Sequence, residues 1–220
     1  MQLAETLKNK IATYNLLKHP FYQAWMDGTL SKEKLQNYAV QYYPHVKDFP
    51  RFVSAVHSRC EDSKARRMLL ENLNEEEGFP AGQDHPELWL RFAEGLGLSR
   101  SDVLDGKVNQ KSQDLVSDFW RLCDSSYAEG LAALYAYEHQ IPEIAKLKIE
   151  GLKERYSISD ERTLAFFAVH EGADKFHSEA CAELINQLSE KDAARVLSAA
   201  TKAASSLWNF LTEVNESCAS

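Results

Sequence analysis

The residues of this 220-residue chain whose spacing most clearly points to chemistry are His170, Asp174 and His177. They lie in a proline-free stretch whose apolar periodicity predicts a helix over residues 160–188. Positions four and seven residues apart share one helical face, so the three side chains form a single stripe. Two imidazoles and a carboxylate are suitable ligands for a transition metal. A polar face exposed to solvent would explain the same residues.

A second candidate is Glu138, which follows the apolar and aromatic residues 131–137. This context predicts that the acid points into the protein, where a carboxylate must be neutralised, paired or bound to a metal. Pro142 lacks an N–H and clashes with the carbonyl four residues before it, so the helix should distort at Glu138. A capping or ion-paired glutamate is the alternative. The neighbouring His139 points about 100° away and is not expected to bind the same metal ion as Glu138.

The acidic run Glu75–Glu77 and His85 gain interest only in combination with these residues, because acidic helix ends are usually solvated. A dinuclear metal centre in a helical bundle takes about six inward-facing histidine and carboxylate ligands from several helices. The six candidate ligands are Glu75, His85, Glu138, His170, Asp174 and His177. Their three negative charges nearly offset two divalent ions. Asp174-x-x-His177 shortens the Glu-x-x-His pattern of ferritin-like sites, and the sequence has no second copy, so a standard ferritin-like fold is not expected.

The elements that must position these residues are predicted to be helices throughout. No stretch shows convincing period-two alternation, and no repeat or linker divides the chain, so we expect one all-α domain over residues 1–220 with seven or eight helices. Capping residues place several starts, at Ser31, Asp62, Asp84 and Ser99. The expected helices cover residues 2–18, 21–26, 31–56 (kinked or divided at Pro44 and Pro50), 62–77, 84–94, a short stretch from Ser99, 108–127 with a break at Gly130, 131–155 interrupted by Pro142, 160–188 and 191–215.

Composition excludes several function classes. The net charge of -8 disfavours a nucleic-acid partner, since few phosphates could be neutralised. The longest apolar run, residues 131–137, is too short for a membrane span, and no secretory signal is visible at the N-terminus. Four widely spaced cysteines without a CxxC motif are typical of a reducing compartment. We therefore expect a cytoplasmic protein without nucleic-acid or membrane partners.

The order of the candidate ligands, a glutamate–loop–histidine, a glutamate, then His-x3-Asp-x2-His, resembles that of the haem-oxygenase-like diiron oxidases. This family is related to the TenA thiaminases and the PqqC quinone-cofactor synthase, and within it the chain is most similar to the CADD branch, named for a chlamydial protein that associates with death domains. The further segments that carry the resemblance are residues 19–25, 42–47, 54–60 and 132–138 and the octet 170–177. The loop between Glu75 and His85 is longer than in the branch. The ligand within Glu75–Glu77 is therefore open, and we choose Glu75.

The resemblance implies a haem-oxygenase-like helical bundle and an oxygen-dependent synthase of 4-aminobenzoate, the folate precursor. It implies two metal ions, iron–iron or iron–manganese, with dioxygen and an external reductant. The carbon skeleton would come from the protein's own Tyr22 and the amine from Lys148, with Tyr38 and Tyr137 relaying a radical or shaping the pocket. A homodimer is common on this scaffold.

Three alternatives compete with this hypothesis. A metal-free TenA- or PqqC-like enzyme of the thiaminase kind would need a nucleophilic cysteine, for which Cys60, Cys123 and Cys181 are available. A haem oxygenase would need a proximal histidine near the N-terminus, and only His19 qualifies by position. A non-enzymatic protein that binds death domains would need an exposed apolar patch.

Overall fold

The computed structural model describes residues 2–80 and 82–217, and for residues 172–176 the backbone alone. The described part of the chain is helical, without strands. Eight helices have eleven residues or more, in agreement with the expected seven or eight, and three are shorter. The helices are α1 (Leu3–Ile11), α2 (Pro20–Asp27), α3 (Lys32–Ser58), α4 (Ser63–Glu76), α5 (His85–Gly95), α6 (Arg100–Leu104), α7 (Gln110–Ser125), α8 (Tyr127–Glu138), α9 (Ile141–Arg155), α10 (Glu161–Asn186) and α11 (Ala193–Glu216).

Helix α8 forms the centre of the bundle. Its residues 130–138 are all buried, and it packs against α11, α10, α7 and α3. A helix that is apolar on all sides is expected only where other helices surround it. Helix α10 packs against α9, α5 and α8. Glu138 at the end of α8 is therefore brought against the long helix that carries the histidine stripe.

The predicted N-caps are confirmed. The side chains of Ser31, Asp62 and Asp84 each accept a hydrogen bond from a backbone N–H in the first turn of α3, α4 and α5. Ser99 and Asp102 form the predicted capping box. Pro44 and Pro50 both lie inside α3, so this segment is one helix rather than two.

Two predicted boundaries were wrong. The first helix ends at Ile11 and is followed by two 3-10 turns, which Gln140 holds by accepting a hydrogen bond from the Leu16 N–H at 2.8 Å. The break after α7 falls at Ser126, whose side chain caps α8, and not at Gly130. Gly130 lies inside α8, where a Cβ would meet a Val56 methyl at 2.5 Å, so this glycine permits close helix packing.

The predicted distortion at Glu138 is confirmed, because α8 ends at Glu138 and Pro142 lies in the first turn of a new helix, α9. Proline is well tolerated there, since its missing N–H would have no partner within the helix. Lys148 therefore lies on α9, a different helix from the one that carries Tyr137 and Glu138.

Candidate metal centre

The first group of donor atoms lies where the end of α4, the start of α5 and the middle of α10 meet. It consists of Glu76, His85 and His170, which are all buried. One potential ligand atom from each lies within 4.8 Å of those from the other two. Glu76 Oε2 lies 2.6 Å from His85 Nδ1, and the two imidazole rings are 4.4 Å apart between centroids.

A sharp turn delivers His85 to this group. Gly78, at φ +70°, follows the end of α4. The loop that leads back to α5 passes so close that a Cβ added to Gly78 would lie 2.5 Å from the Gln83 backbone. Only glycine adopts this backbone conformation without strain and leaves this space. Asp84 then caps α5, so His85 becomes its first residue. Gly78, the predicted end of the helix, thus also brings the end of α4 close to His85 at the start of α5.

The orientation of His170 is fixed by its own helix. Its Nδ1 lies within hydrogen-bonding distance of the Phe166 carbonyl oxygen. Because that oxygen can only accept, Nδ1 carries the proton and Nε2 presents its lone pair for a metal. A backbone partner of this kind is common for metal-binding histidines.

The second group contains Glu138 and His177, which are also buried. Glu138 accepts hydrogen bonds from Asn72 Nδ2 at 2.6 Å and from the Cys181 thiol at 3.4 Å. Burial raises the pKa of Glu138 and of Glu76, and His177 lies close enough to both carboxyls to oppose this rise. The two groups of donors are therefore adjacent.

The three glutamates of the acidic run Glu75–Glu77 differ in burial. Glu76 is 3% exposed and belongs to the first group, whereas the Glu75 side chain is 47% exposed and has its Oε2 3.3 Å from His177 Nε2. Glu77 is exposed at the end of α4. Our choice of Glu75 as the ligand thus stays a prediction, and Glu76 is a member of the site that this choice omitted.

Asp174 lies outside the residues whose side chains the structure describes, so its role as a ligand also stays a prediction. The structure brings together side chains from the five other predicted ligand positions, Glu75, His85, Glu138, His170 and His177.

The electrostatics of the site fit a cation. Burial raises the pKa of Glu76 to about 7 and also raises that of Glu138, and each pKa is raised further by a neighbouring glutamate. Buried carboxylates that face each other are unfavourable unless a proton or a positive charge lies between them. Imidazole and carboxylate donors suit divalent transition metals, among them iron and manganese. The residues present therefore fit a divalent metal ion, and the predicted pair of ions stays a prediction.

The four predicted catalytic residues lie beside this centre. A small cavity of about 20 Å³ is lined by Tyr22, Tyr137, Lys148 and His170 among other residues, so it adjoins the metal centre. Lys148 Nζ donates to the Tyr38 hydroxyl at 2.7 Å, and that hydroxyl is also hydrogen-bonded to Tyr22. The Lys148 amine lies 5.1 Å from the centroid of the Tyr22 ring.

Burial determines the ionisation of these groups. Lys148 is 4% exposed, and burial lowers its pKa to about 7. Burial raises the pKa of Tyr22 and of Tyr38 well above the usual value of a phenol. The site thus contains neutral phenols next to an amine that is partly neutral near pH 7, which is the form that acts as a nucleophile.

The model of the TENA/THI-4/PQQC family matches residues 5–214. The chain belongs to this family. It is 42% identical over 210 residues to the 4-aminobenzoate synthase of Chlamydia pneumoniae, covering 94% of this chain and 92% of the relative. This member of the TENA/THI-4/PQQC family has the fold of two solved structures that share about a fifth of its residues.

The first of these structures is a TenA homologue from Pseudomonas syringae, with a TM-score of 0.84 at 21% identity over 98% of this chain and 93% of the other. The second is a domain with a haem-oxygenase-like fold from Shewanella denitrificans, with a TM-score of 0.76 at 20% identity over 96% of this chain and 91% of the other. The predicted family and the predicted haem-oxygenase-like all-α fold are confirmed.

Two of the competing hypotheses meet specific obstacles. His19 caps α2 by accepting from the Phe21 N–H, and its Nε2 lies 3.0 Å from Thr212 Oγ1, so both ring nitrogens are occupied and neither is positioned for a haem iron. Burial raises the pKa values of Cys123 and Cys181, which disfavours the thiolate that a thiaminase mechanism needs. Within the described residues, no helix is long and apolar enough to cross a membrane.

Proposed function

We propose that this protein is a dinuclear-metal, oxygen-dependent oxidase that makes 4-aminobenzoate from its own Tyr22, with Lys148 as the source of the amine. The activity is that of the chlamydial relative described above, of which this chain covers almost the whole length. One metal ion would be held by Glu76, His85 and His170, and the other by Glu138 and His177. Glu75 and Asp174 are further predicted ligands.

The observation that carries the proposal is the placement of Tyr22 and Lys148 in one small cavity next to His170. A volume of about 20 Å³ is enough for about one water molecule and not for a free aromatic substrate. The benzene ring that a 4-aminobenzoate synthase requires is already present as the Tyr22 side chain. The structure therefore favours an internal substrate.

The chemistry of the two side chains agrees with the product. Tyrosine and 4-aminobenzoate both carry a para-substituted ring with a carbon atom at one end. To form the product, the Cα–Cβ bond of Tyr22 would break and Cβ would be oxidised by dioxygen to the carboxylate. At the other end of the ring, the nitrogen of the Lys148 amine would replace the phenol oxygen. The hydrogen bonds between Lys148 and Tyr38 and between Tyr38 and Tyr22 connect the amine to the phenol whose oxygen must be replaced. When bound, the metal pair would activate dioxygen, with electrons from an external reductant.

The residues around the cavity assist in two ways. Burial keeps part of the Lys148 population neutral near pH 7, so the amine has a free lone pair. Tyr137 and Phe167 help to close the cavity, which keeps bulk water away from oxidised groups. The cytoplasmic location, the identity of the metals and a homodimer remain predictions alongside this proposal.

The test is a single-turnover assay on protein loaded with Fe²⁺, or with Fe²⁺ and Mn²⁺, then given a reductant and air. The parent should release 4-aminobenzoate, detected by mass spectrometry, in no more than stoichiometric amount. Protein labelled with ring-¹³C tyrosine should release labelled product. Unlabelled product from the labelled protein would contradict the internal substrate.

The matched variants are Tyr22→Phe and Tyr135→Phe. Both tyrosines are buried, but Tyr135 stacks on His139 at 5.1 Å between ring centroids, away from Lys148. Tyr22→Phe should bind metal normally and release no product, whereas Tyr135→Phe should behave like the parent. Equal yields from the two variants would refute the role of Tyr22.

A further inference from the structure

Glu138 is the only one of the described candidate ligands whose two carboxylate oxygens each accept a hydrogen bond from a side chain that is not itself a candidate ligand. Asn72 Nδ2 donates to Oε1 at 2.6 Å, and the Cys181 thiol donates to Oε2 at 3.4 Å. Asn72 is 3% exposed and Cys181 is 2% exposed. Both contacts are therefore made away from water.

The two donors lie on the helices that carry the other ligands. Asn72 is one turn before Glu76 on α4, and Cys181 is one turn after His177 on α10. Residues four apart share a helical face, so each donor points the same way as a ligand. Glu138 on α8 is thereby tied to both of the helices that it must meet at the metal centre.

The acceptor positions that Glu138 and Asn72 leave unused point to a bound metal ion and its water. A carboxylate has about four acceptor positions, and the two donors occupy two of them, which leaves one lone pair on each oxygen for a metal ion. In addition, Asn72 Oδ1 is buried and has no hydrogen-bond partner among the described residues. A buried acceptor without a partner is rare in folded proteins and calls for an explanation.

We propose that Asn72 and Cys181 are positioning residues that orient Glu138 for the second metal ion, with Asn72 Oδ1 available to accept a hydrogen bond from a water molecule at that ion. This inference rests on the proposed metal centre. Partners behind a metal ligand fix its orientation, and losing one typically weakens metal binding 10- to 100-fold. A purely structural role would instead change the stability of the metal-free protein and leave the affinity for the second ion unchanged.

The experiment is a Mn²⁺ titration of the full chain in which free Mn²⁺ is measured by electron paramagnetic resonance. The parent should bind two ions. Asn72→Leu, which has a similar shape but no N–H, should keep one ion at the parent's affinity and bind the other 10- to 100-fold more weakly. Asn74→Leu, a change of the same kind on the same helix, is the control and should bind both ions as the parent does.

A second pair of variants tests the thiol and includes a conservative rescue. Cys181→Ala removes the donor and should weaken the second ion, whereas Cys181→Ser keeps an O–H donor and should restore much of the affinity. The absorption spectrum of Co²⁺-loaded protein should change for Asn72→Leu and Cys181→Ala, because a reoriented Glu138 alters the ligand geometry. The melting temperature of each metal-free variant reports folding separately, and if Asn72→Leu does not fold, the Cys181 pair carries the test.

The outcomes separate this inference from the proposed function. Two ions bound by Asn72→Leu with the parent's affinity and Co²⁺ spectrum would refute the positioning role and leave the metal centre intact. If Cys181→Ala binds both ions as tightly as Cys181→Ser does, the thiol has no such role. A parent protein that binds no Mn²⁺ would refute the metal centre itself.

Discussion

Lys148 lies in surroundings that favour the neutral form of its amine. The amine is enclosed by the rings of six aromatic residues at 4.8–5.9 Å between Nζ and ring centroid, and it donates a hydrogen bond to the Tyr38 hydroxyl. Ring faces attract a cation, but the cost of removing the charge from water is larger, so the pKa falls to about 7. The amine is therefore close to half neutral near pH 7.

The ionisation of Lys148 gives a pH-dependent prediction. In the unfolded chain the amine has its usual pKa of 10.5, whereas in the folded protein the pKa is about 7. Between these values the unfolded state binds more protons, so stability should rise with pH, by up to about 1.4 kcal/mol per unit. Below pH 7 the amine is charged in both states and its burial cost is constant.

The measurement compares the parent with Lys148→Met by denaturant unfolding at several values between pH 6 and 10. Subtracting the two free energies of unfolding cancels the other titrating groups. Lys148→Met should be more stable than the parent at pH 7, and its advantage should shrink towards pH 10. A difference that does not depend on pH would contradict the lowered pKa.

The acidic triplet allows a direct test of ligand identity. Glu76→Gln should weaken Mn²⁺ binding by about 10-fold or more, because it removes a buried negative charge from the group that contains His85 and His170. Glu75→Gln should have a smaller effect, since that side chain is half exposed. Glu77→Gln is the control, with an unchanged affinity. A larger loss for Glu75→Gln than for Glu76→Gln would identify Glu75 as the principal ligand.

For single residues of the metal centre, the sequence predicts well which residue types act as donors. It predicts less well which individual residues these are. The stripe of His170 and His177 follows from helical spacing alone, and Glu138 follows from its apolar context. The choice within Glu75–Glu77 depends on how the helix end meets the loop, which spacing does not determine. The sequence shows Asn72 only as a polar residue four positions before Glu76. Many surface residues have this spacing from an acid, so the spacing alone does not identify Asn72 as a partner of the metal centre.

At the scale of elements, the position of Lys148 depends on how closely α2 approaches α9. Trp25 on α2 is fully buried, and its indole N–H is directed at the Lys148 carbonyl oxygen, at 3.4 Å. Gly151, one turn after Lys148, leaves the space for this ring, since a Cβ there would lie 2.6 Å from Trp25 Cδ1. The glycine therefore sets the distance between the two helices.

We expect Gly151→Ala to destabilise the protein by about 1–3 kcal/mol through overpacking, although alanine favours a helix more than glycine does. The displaced ring should also admit water to the amine, so that acylating reagents modify Lys148 faster. Both effects can be measured by thermal unfolding and by mass spectrometry of the peptide that contains Lys148. Glu150→Ala, an exposed change on the same helix, is the control, and an equally slow modification of both variants would contradict this role for Gly151.

Helix starts were more predictable than helix breaks. The caps at Ser31, Asp62 and Asp84 depend on local hydrogen bonds, so the sequence around them is sufficient. The break at Ser126 depends on packing instead, because Gly130 is held inside α8 by Val56 of another helix. Tertiary contacts of this kind override the local preference of a glycine to end a helix.

At the scale of the whole molecule, the metal centre connects helices that are distant in sequence. Its donors come from α4, α5, α8 and α10, and each of these helices places a polar group in an otherwise apolar interior. Without a cation, the repulsion between Glu76 and Glu138 opposes the packing of these helices. Metal binding should therefore stabilise the entire bundle rather than one loop.

This dependence gives a prediction for the whole chain. A ligand that binds only the folded state at about one hundred times its Kd adds about 2.7 kcal/mol of stability. For a chain of this size, that corresponds to a rise in Tm of about 5–11 °C when Mn²⁺ is added to metal-free protein. Calorimetry with and without Mn²⁺ measures the shift, and a chelator should reverse it. A His177→Ala variant should show a smaller rise, because it lacks a donor to the second ion. An identical rise in that variant would place the stabilising metal elsewhere on the molecule.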